Sequence, residues 1–73
     1  MTRTTERLTE IKINGRTLAT GASTLDLLVA EQDFGGARVA TAVNGEFVPE
    51  RRRAEIRLAD GDHVEIVSIR QGG

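Results

Sequence analysis

Two Asn-Gly dipeptides, Asn14-Gly15 and Asn44-Gly45, do most to limit what this chain can become. Both residue types tolerate positive φ, so Asn-Gly between alternating runs closes a tight hairpin. Ahead of the first, Ile11 and Ile13 alternate with Glu10 and Lys12, the mark of a half-buried strand. Residues 16–19 return as its partner, with Leu18 facing the core. Ahead of the second, residues 38–43 put Val39, Thr41 and Val43 on one face and Ala40 and Ala42 on the other. Glu46-Phe47-Val48 returns as a short fourth strand, and Pro49, lacking an N–H, ends the pairing or shifts it to an edge.

Between the hairpins the period changes. Ser23 is the predicted N-cap of a helix, with Asp26 three residues on as a capping-box-like partner. Leu25, Leu28 and Val29 then form one apolar face. The helix is expected to run for about ten residues, held by packing because so short a helix is marginal alone. It is expected to stop at Gly35-Gly36, which can supply a left-handed end.

Residues 50–58 carry the weakest pattern. Arg51, Arg52 and Arg53 read as a solvated turn or short helical piece, pinned to the core by Ile56 and Leu58. Asp60-Gly61-Asp62 is a turn. The last strand starts at His63, with Val64, Ile66 and Ser68 on one face and Glu65, Val67 and Ile69 on the other. The order β-β-α-β-β-β specifies an α+β roll, a mixed sheet of four to five strands with one helix on one face. Residues 1–7 read as a flexible polar leader, residues 8–69 as the domain and residues 70–73 as a flexible tail.

Composition removes several classes of function. With no cysteine and a single histidine among 73 residues, thiolate chemistry and a zinc site are not expected. A net charge of −1 and only two aromatic residues, both Phe, argue against nucleic-acid binding. No run reaches membrane-spanning length and the N-terminus has no apolar signal core, so a cytoplasmic protein is expected.

The candidate site lies at the C-terminus, Arg70-Gln71-Gly72-Gly73. Gly72 and Gly73 have no Cβ and can enter a channel too narrow for any other residue. Fully extended, the four residues span roughly 13 Å. The tail alone leaves a working carboxylate and an ordinary loose terminus equally open. Val67 and Ile69 shift the balance, because the helix covers only the opposite face and apolar side chains beside the tail suit a docking patch. The bland alternative is that single surface hydrophobics are common. His63 beside Asp62 could suggest a general base, but no nucleophile motif accompanies it, so a surface histidine is favoured. Gly35-Gly36 follows a helix instead of opening one and so is no phosphate loop.

Ile13-Asn14-Gly15, Thr24-Leu25-Asp26-Leu27-Leu28, Ala42-Val43-Asn44-Gly45-Glu46-Phe47-Val48-Pro49, residues 58–67 and Gly72-Gly73 together give the chain a resemblance. It resembles the ubiquitin-like β-grasp sulfur carriers, and within them the ThiS-type carriers of thiamine biosynthesis. Two positions depart from the family's pattern: Glu50 precedes Arg51 where Arg usually follows the Pro directly, and no large aromatic residue comes soon after. The resemblance implies a carrier that is itself no enzyme and binds no cofactor. Its Gly73 carboxylate would be adenylated with ATP by a ubiquitin-activating-like, ThiF-type adenylyltransferase. A persulfide donor such as a cysteine desulfurase would convert the adenylate to a thiocarboxylate, and a ThiG-type thiazole synthase would receive the sulfur. Rival readings are the small subunit of molybdopterin synthase, a ubiquitin-like protein modifier, and a non-catalytic β-grasp binding module. The first is disfavoured because Ser68-Ile69-Arg70-Gln71 stands where a Pro-Pro segment is typical.

Overall fold

The computed structural model describes residues 8–69, so the leader and the tail lie outside the described residues. The elements are β1 (Thr9–Ile13), β2 (Arg16–Thr20), α1 (Leu25–Gln32), β3 (Val39–Val43), β4 (Glu46–Val48), a 3-10 helix (Glu50–Glu55) and β5 (His63–Ser68). The sheet runs in the order β2-β1-β5-β3-β4. Among the described residues only β1 and β5 pair in parallel; the other neighbours are antiparallel. The last strand in sequence is therefore the middle strand of the sheet.

Both hairpin expectations hold. Asn14 and Gly15 take φ of 50° and 87°, and Asn44 and Gly45 take 51° and 85°. Consecutive positive φ values define the tight turn whose twist suits two antiparallel strands. Each turn fixes its register, Ile13 opposite Arg16 and Val43 opposite Glu46.

α1 lies on one face of this sheet and closes the core. Leu25 and Leu28 are fully buried in one core with Ile11, Val64 and Ile66, bordered by the buried Val39 and Val48, while Val29 is half-buried at the margin. Burying each such side chain contributes about 1.5–3 kcal/mol. A chain of this size has few others to draw on. Ile56 and Leu58 pack against the same cluster, as the sequence implied.

The helix ends differ from expectation at both sides. Its N-cap is Thr24, not Ser23. The Ser23 carbonyl accepts the Leu58 N–H at 3.0 Å, and the Leu25 N–H goes to the Ile56 carbonyl at 2.9 Å. Residues 23–25 are thus stitched to the chain entering β5, and Thr24 is the extended residue that precedes the helix. The Thr24 hydroxyl bonds the Asp26 carboxylate, so no side chain caps the helix backbone. At the other end the helix stops after 8 residues, because Asp33 takes the left-handed position itself with φ 54°. A short polar side chain tolerates that conformation by bonding locally, here from the Gly35 N–H at 3.2 Å. Gly35 and Gly36 belong to the following turn.

The arginine run also needs correcting. Arg51 and Arg52 are exposed, but Arg53 reaches inward. Its guanidinium donates to the Val39 carbonyl at 2.8 Å and to the Thr41 hydroxyl at 3.1 Å. That hydroxyl, buried in the sheet, donates in turn to the Val48 carbonyl at 2.8 Å. One arginine therefore ties the 3-10 helix to β3, and through Thr41 to β4. Arg53→Ala should cost about 1–3 kcal/mol in urea unfolding, since it strips partners from partly buried acceptors. Arg51→Ala should change stability by less than about 0.5 kcal/mol. Equal effects would show that the inward bonds contribute nothing.

Candidate functional site

The strand that leads to the tail is the middle strand of the sheet, paired on both sides. β1 pairs with β5 only at Lys12–His63 and Ile13–Val64, because the chain must turn back at Asn14. Asn14 then continues the ladder by other means. Its backbone N–H bonds the Val64 carbonyl at 2.9 Å. Its side-chain amide accepts the Ile66 N–H at 3.0 Å and donates to the Ile66 carbonyl at 2.9 Å. A primary amide offers the same donor and acceptor as a peptide unit, so it substitutes for the missing strand residue.

Asn44 does the matching work on the opposite flank. Its N–H reaches the His63 carbonyl at 2.7 Å, and its Oδ1 accepts the His63 N–H at 3.0 Å. β3 pairs along the whole strand, from Val43 opposite Val64 to Val39 opposite Ser68. Beyond Ser68, the Ile69 N–H bonds the Arg38 carbonyl at 2.8 Å. That bond is the last described link before Arg70, Gln71, Gly72 and Gly73, which lie outside the described residues.

Strand alternation divides β5 as the sequence implied. Val64 and Ile66 are buried under α1, whereas Val67 is 55% exposed on the uncovered face and Ile69, just past the strand, is 47% exposed. The register adds a residue the sequence reading missed. Ala40 lies opposite Val67 and Ala42 opposite Phe47. Small alanines in β3 thus separate larger side chains in β4 and β5, leaving a shallow apolar trough. Phe47, 69% exposed, forms its other wall. Its signal was present in the sequence: a two-residue turn at Asn44-Gly45 places Phe47 across from Ala42, on the face opposite Val48.

The other candidates fall away by geometry. Asp62 spends its carboxylate on the Ala59 N–H at 2.9 Å and the Asn44 amide at 3.0 Å, so it serves a turn. His63 is exposed. Among the described residues no three or more His, Cys, Asp or Glu side chains come together in a way that could hold a metal ion. No described helix is long and apolar enough to cross a membrane.

The two faces of β5 should respond oppositely to charge. Ile66→Asp should unfold the domain, because a carboxylate would enter the core without a partner. Val67→Asp and Ile69→Asp should each cost less than about 1 kcal/mol in thermal or urea unfolding. Comparable losses from all three would contradict the assignment of faces.

Comparison with known proteins agrees with this architecture. The model of the ThiS family matches residues 6–73. No curated protein matches the chain. Among solved structures, the chain is similar to the thiamine biosynthesis protein ThiS from Geobacter metallireducens. The two are 28% identical with a TM-score of 0.68, over 88% of this chain and 99% of that one.

Proposed function

The chain belongs to the ThiS family, and on that premise we propose that it carries sulfur for thiazole formation on its C-terminal carboxyl group. What supports this reading is a family match that runs through the terminal Gly72-Gly73.

The chemistry starts from the inertness of a carboxylate, whose oxygen is a poor leaving group. A ThiF-type adenylyltransferase uses ATP to join the Gly73 carboxylate to AMP, releasing pyrophosphate. The acyl carbon then bears a good leaving group. The terminal sulfur of a persulfide, supplied by a cysteine desulfurase or a similar donor, displaces AMP to give an acyl disulfide. A thiol then breaks its S–S bond, forming a disulfide with the donor and leaving a thiocarboxylate at Gly73. A ThiG-type thiazole synthase takes that sulfur. The carrier turns nothing over and binds no cofactor, and ATP is consumed by its partner. The cytoplasm is the proposed setting, as the source of ATP and persulfide.

In this scheme Arg70, Gln71 and Gly72 deliver Gly73 into the partner's site. The partner grips the trough, with Val67 on one wall and Phe47 on the other, and Ile69 just past the strand on the way to the tail. A chain without cysteine suits the role, since it has no thiol of its own to attack the activated Gly73 acyl group.

Intact-mass spectrometry tests the proposal. After incubation with ATP, a ThiF-type enzyme proven on its own carrier, and a sulfur donor, the chain should exchange one oxygen for sulfur. Removing Gly73 should abolish the exchange. An unchanged mass for the full chain under those conditions would contradict the reading. Val67→Asp or Ile69→Asp should slow activation at least about tenfold, because a carboxylate in a dried contact loses more than the ~1.4 kcal/mol that tenfold represents. Activation at the wild-type rate would remove these residues from the interface.

A further inference from the structure

From the two Asn-Gly turns we infer that Asn44 is a site of spontaneous modification, where loss of ammonia loosens the start of β5. In such a pair the backbone nitrogen of glycine attacks Cγ of the asparagine. The N–Cγ bond forms, the Cγ–Nδ2 bond breaks, and ammonia leaves a cyclic imide. Water then opens the imide at either carbonyl, giving aspartate or isoaspartate. Water enters, ammonia departs, and no oxidant or reductant takes part. Gly45 has no Cβ to crowd the attack, and the space around its Cα is open.

Asn14-Gly15 shares this chemistry, and the hydrogen bonds separate the two sites. Both side-chain bonds of Asn14 go to the backbone of Ile66, in the middle of a central strand, and both are partly buried. Those of Asn44 are exposed, and its NH2 donates to a side chain, Asp62, instead of a backbone group. Exposed bonds at a turn open more readily than bonds inside a ladder. Asn44 is therefore the amide freed more often to reach the glycine nitrogen.

The consequence is also set by neighbours. An aspartate at position 44 keeps an acceptor for the His63 N–H but loses the donor to Asp62. It brings a second negative charge to where Nδ2 now sits 3.0 Å from Asp62 Oδ1. Asp62 cannot swing aside without releasing the Ala59 N–H. Isoaspartate adds a backbone atom to the turn and so also disturbs the Val43–Glu46 register. This inference needs none of the sulfur chemistry and stands or falls separately from it.

The test uses the whole chain. Folded protein is held at mildly alkaline pH and body temperature and then digested. Amide-to-acid exchange and isoaspartate are followed at both turns by mass spectrometry. Asn44 should convert several-fold faster than Asn14. An Asn44 that stays intact, or converts no faster than Asn14, overturns the assignment. For the consequence, Asn44→Asp should lower Tm by several degrees, and adding Asp62→Asn should recover at least half of that loss. Melting of the single variant with the wild type would overturn the predicted loosening, as would a loss that Asp62→Asn leaves untouched. Should Asn44→Asp fail to fold, the double variant must fold for the inference to survive.

Discussion

Everything in this small domain depends on how β5 is gripped. A middle strand normally receives a full partner on each side, but here β1 leaves it after two paired residues. The Asn14 side chain makes up the shortfall by presenting an amide to Ile66 in place of a strand. Asn44 fastens the other flank at His63. The same dipeptide thus does two jobs in each hairpin: its backbone makes the turn and its side chain secures the central strand. At position 14 neither Asp nor Ala could do both, since one lacks the donor to the Ile66 carbonyl and the other lacks both groups.

From that grip follows the division of faces. Once β5 is fixed in register, Val64 and Ile66 are buried in the core under α1, and Val67 is left half-exposed on the other face. A one-residue slip would exchange the two sets and bury Glu65. The trough on the uncovered face is a consequence of the same register, because it sets the β3 alanines between Val67 and Phe47. A scaffold this short keeps apolar surface away from its core only at some cost in stability. A docking role for the trough would account for that arrangement.

The legible parts of the sequence were those governed by neighbours along the chain. The Asn-Gly turns, the strand alternation and the apolar face at Leu25, Leu28 and Val29 depend on local rules and came through in the structure. The family, too, was readable from motifs spread over most of the chain. What failed depended on distant partners. Ser23 has the chemistry of an N-cap, but its carbonyl is claimed by Leu58, far along the chain, and the helix starts after Thr24 instead. Gly35-Gly36 carries the stronger stop signal, yet Asp33 ends the helix first because a local bond compensates its left-handed backbone. Arg53 looked like its two neighbours, and only the approach of Val39 and Thr41 distinguishes it. Phe47 differs in kind: the Asn44-Gly45 turn sets Val43 opposite Glu46, and one pair further on the same register brings Phe47 across from Ala42.

The central claim is that the reacting group is the carboxylate of Gly73, and its oxygens can be followed directly. Chain carrying heavy oxygen in its terminal carboxylate would be treated with ATP, a competent ThiF-type enzyme and a sulfur donor, and the released AMP collected. If the carboxylate attacks the α-phosphate and is then displaced by sulfur, each AMP formed must leave with one heavy oxygen taken from Gly73. AMP free of the label, formed while the chain gains sulfur, would contradict the account.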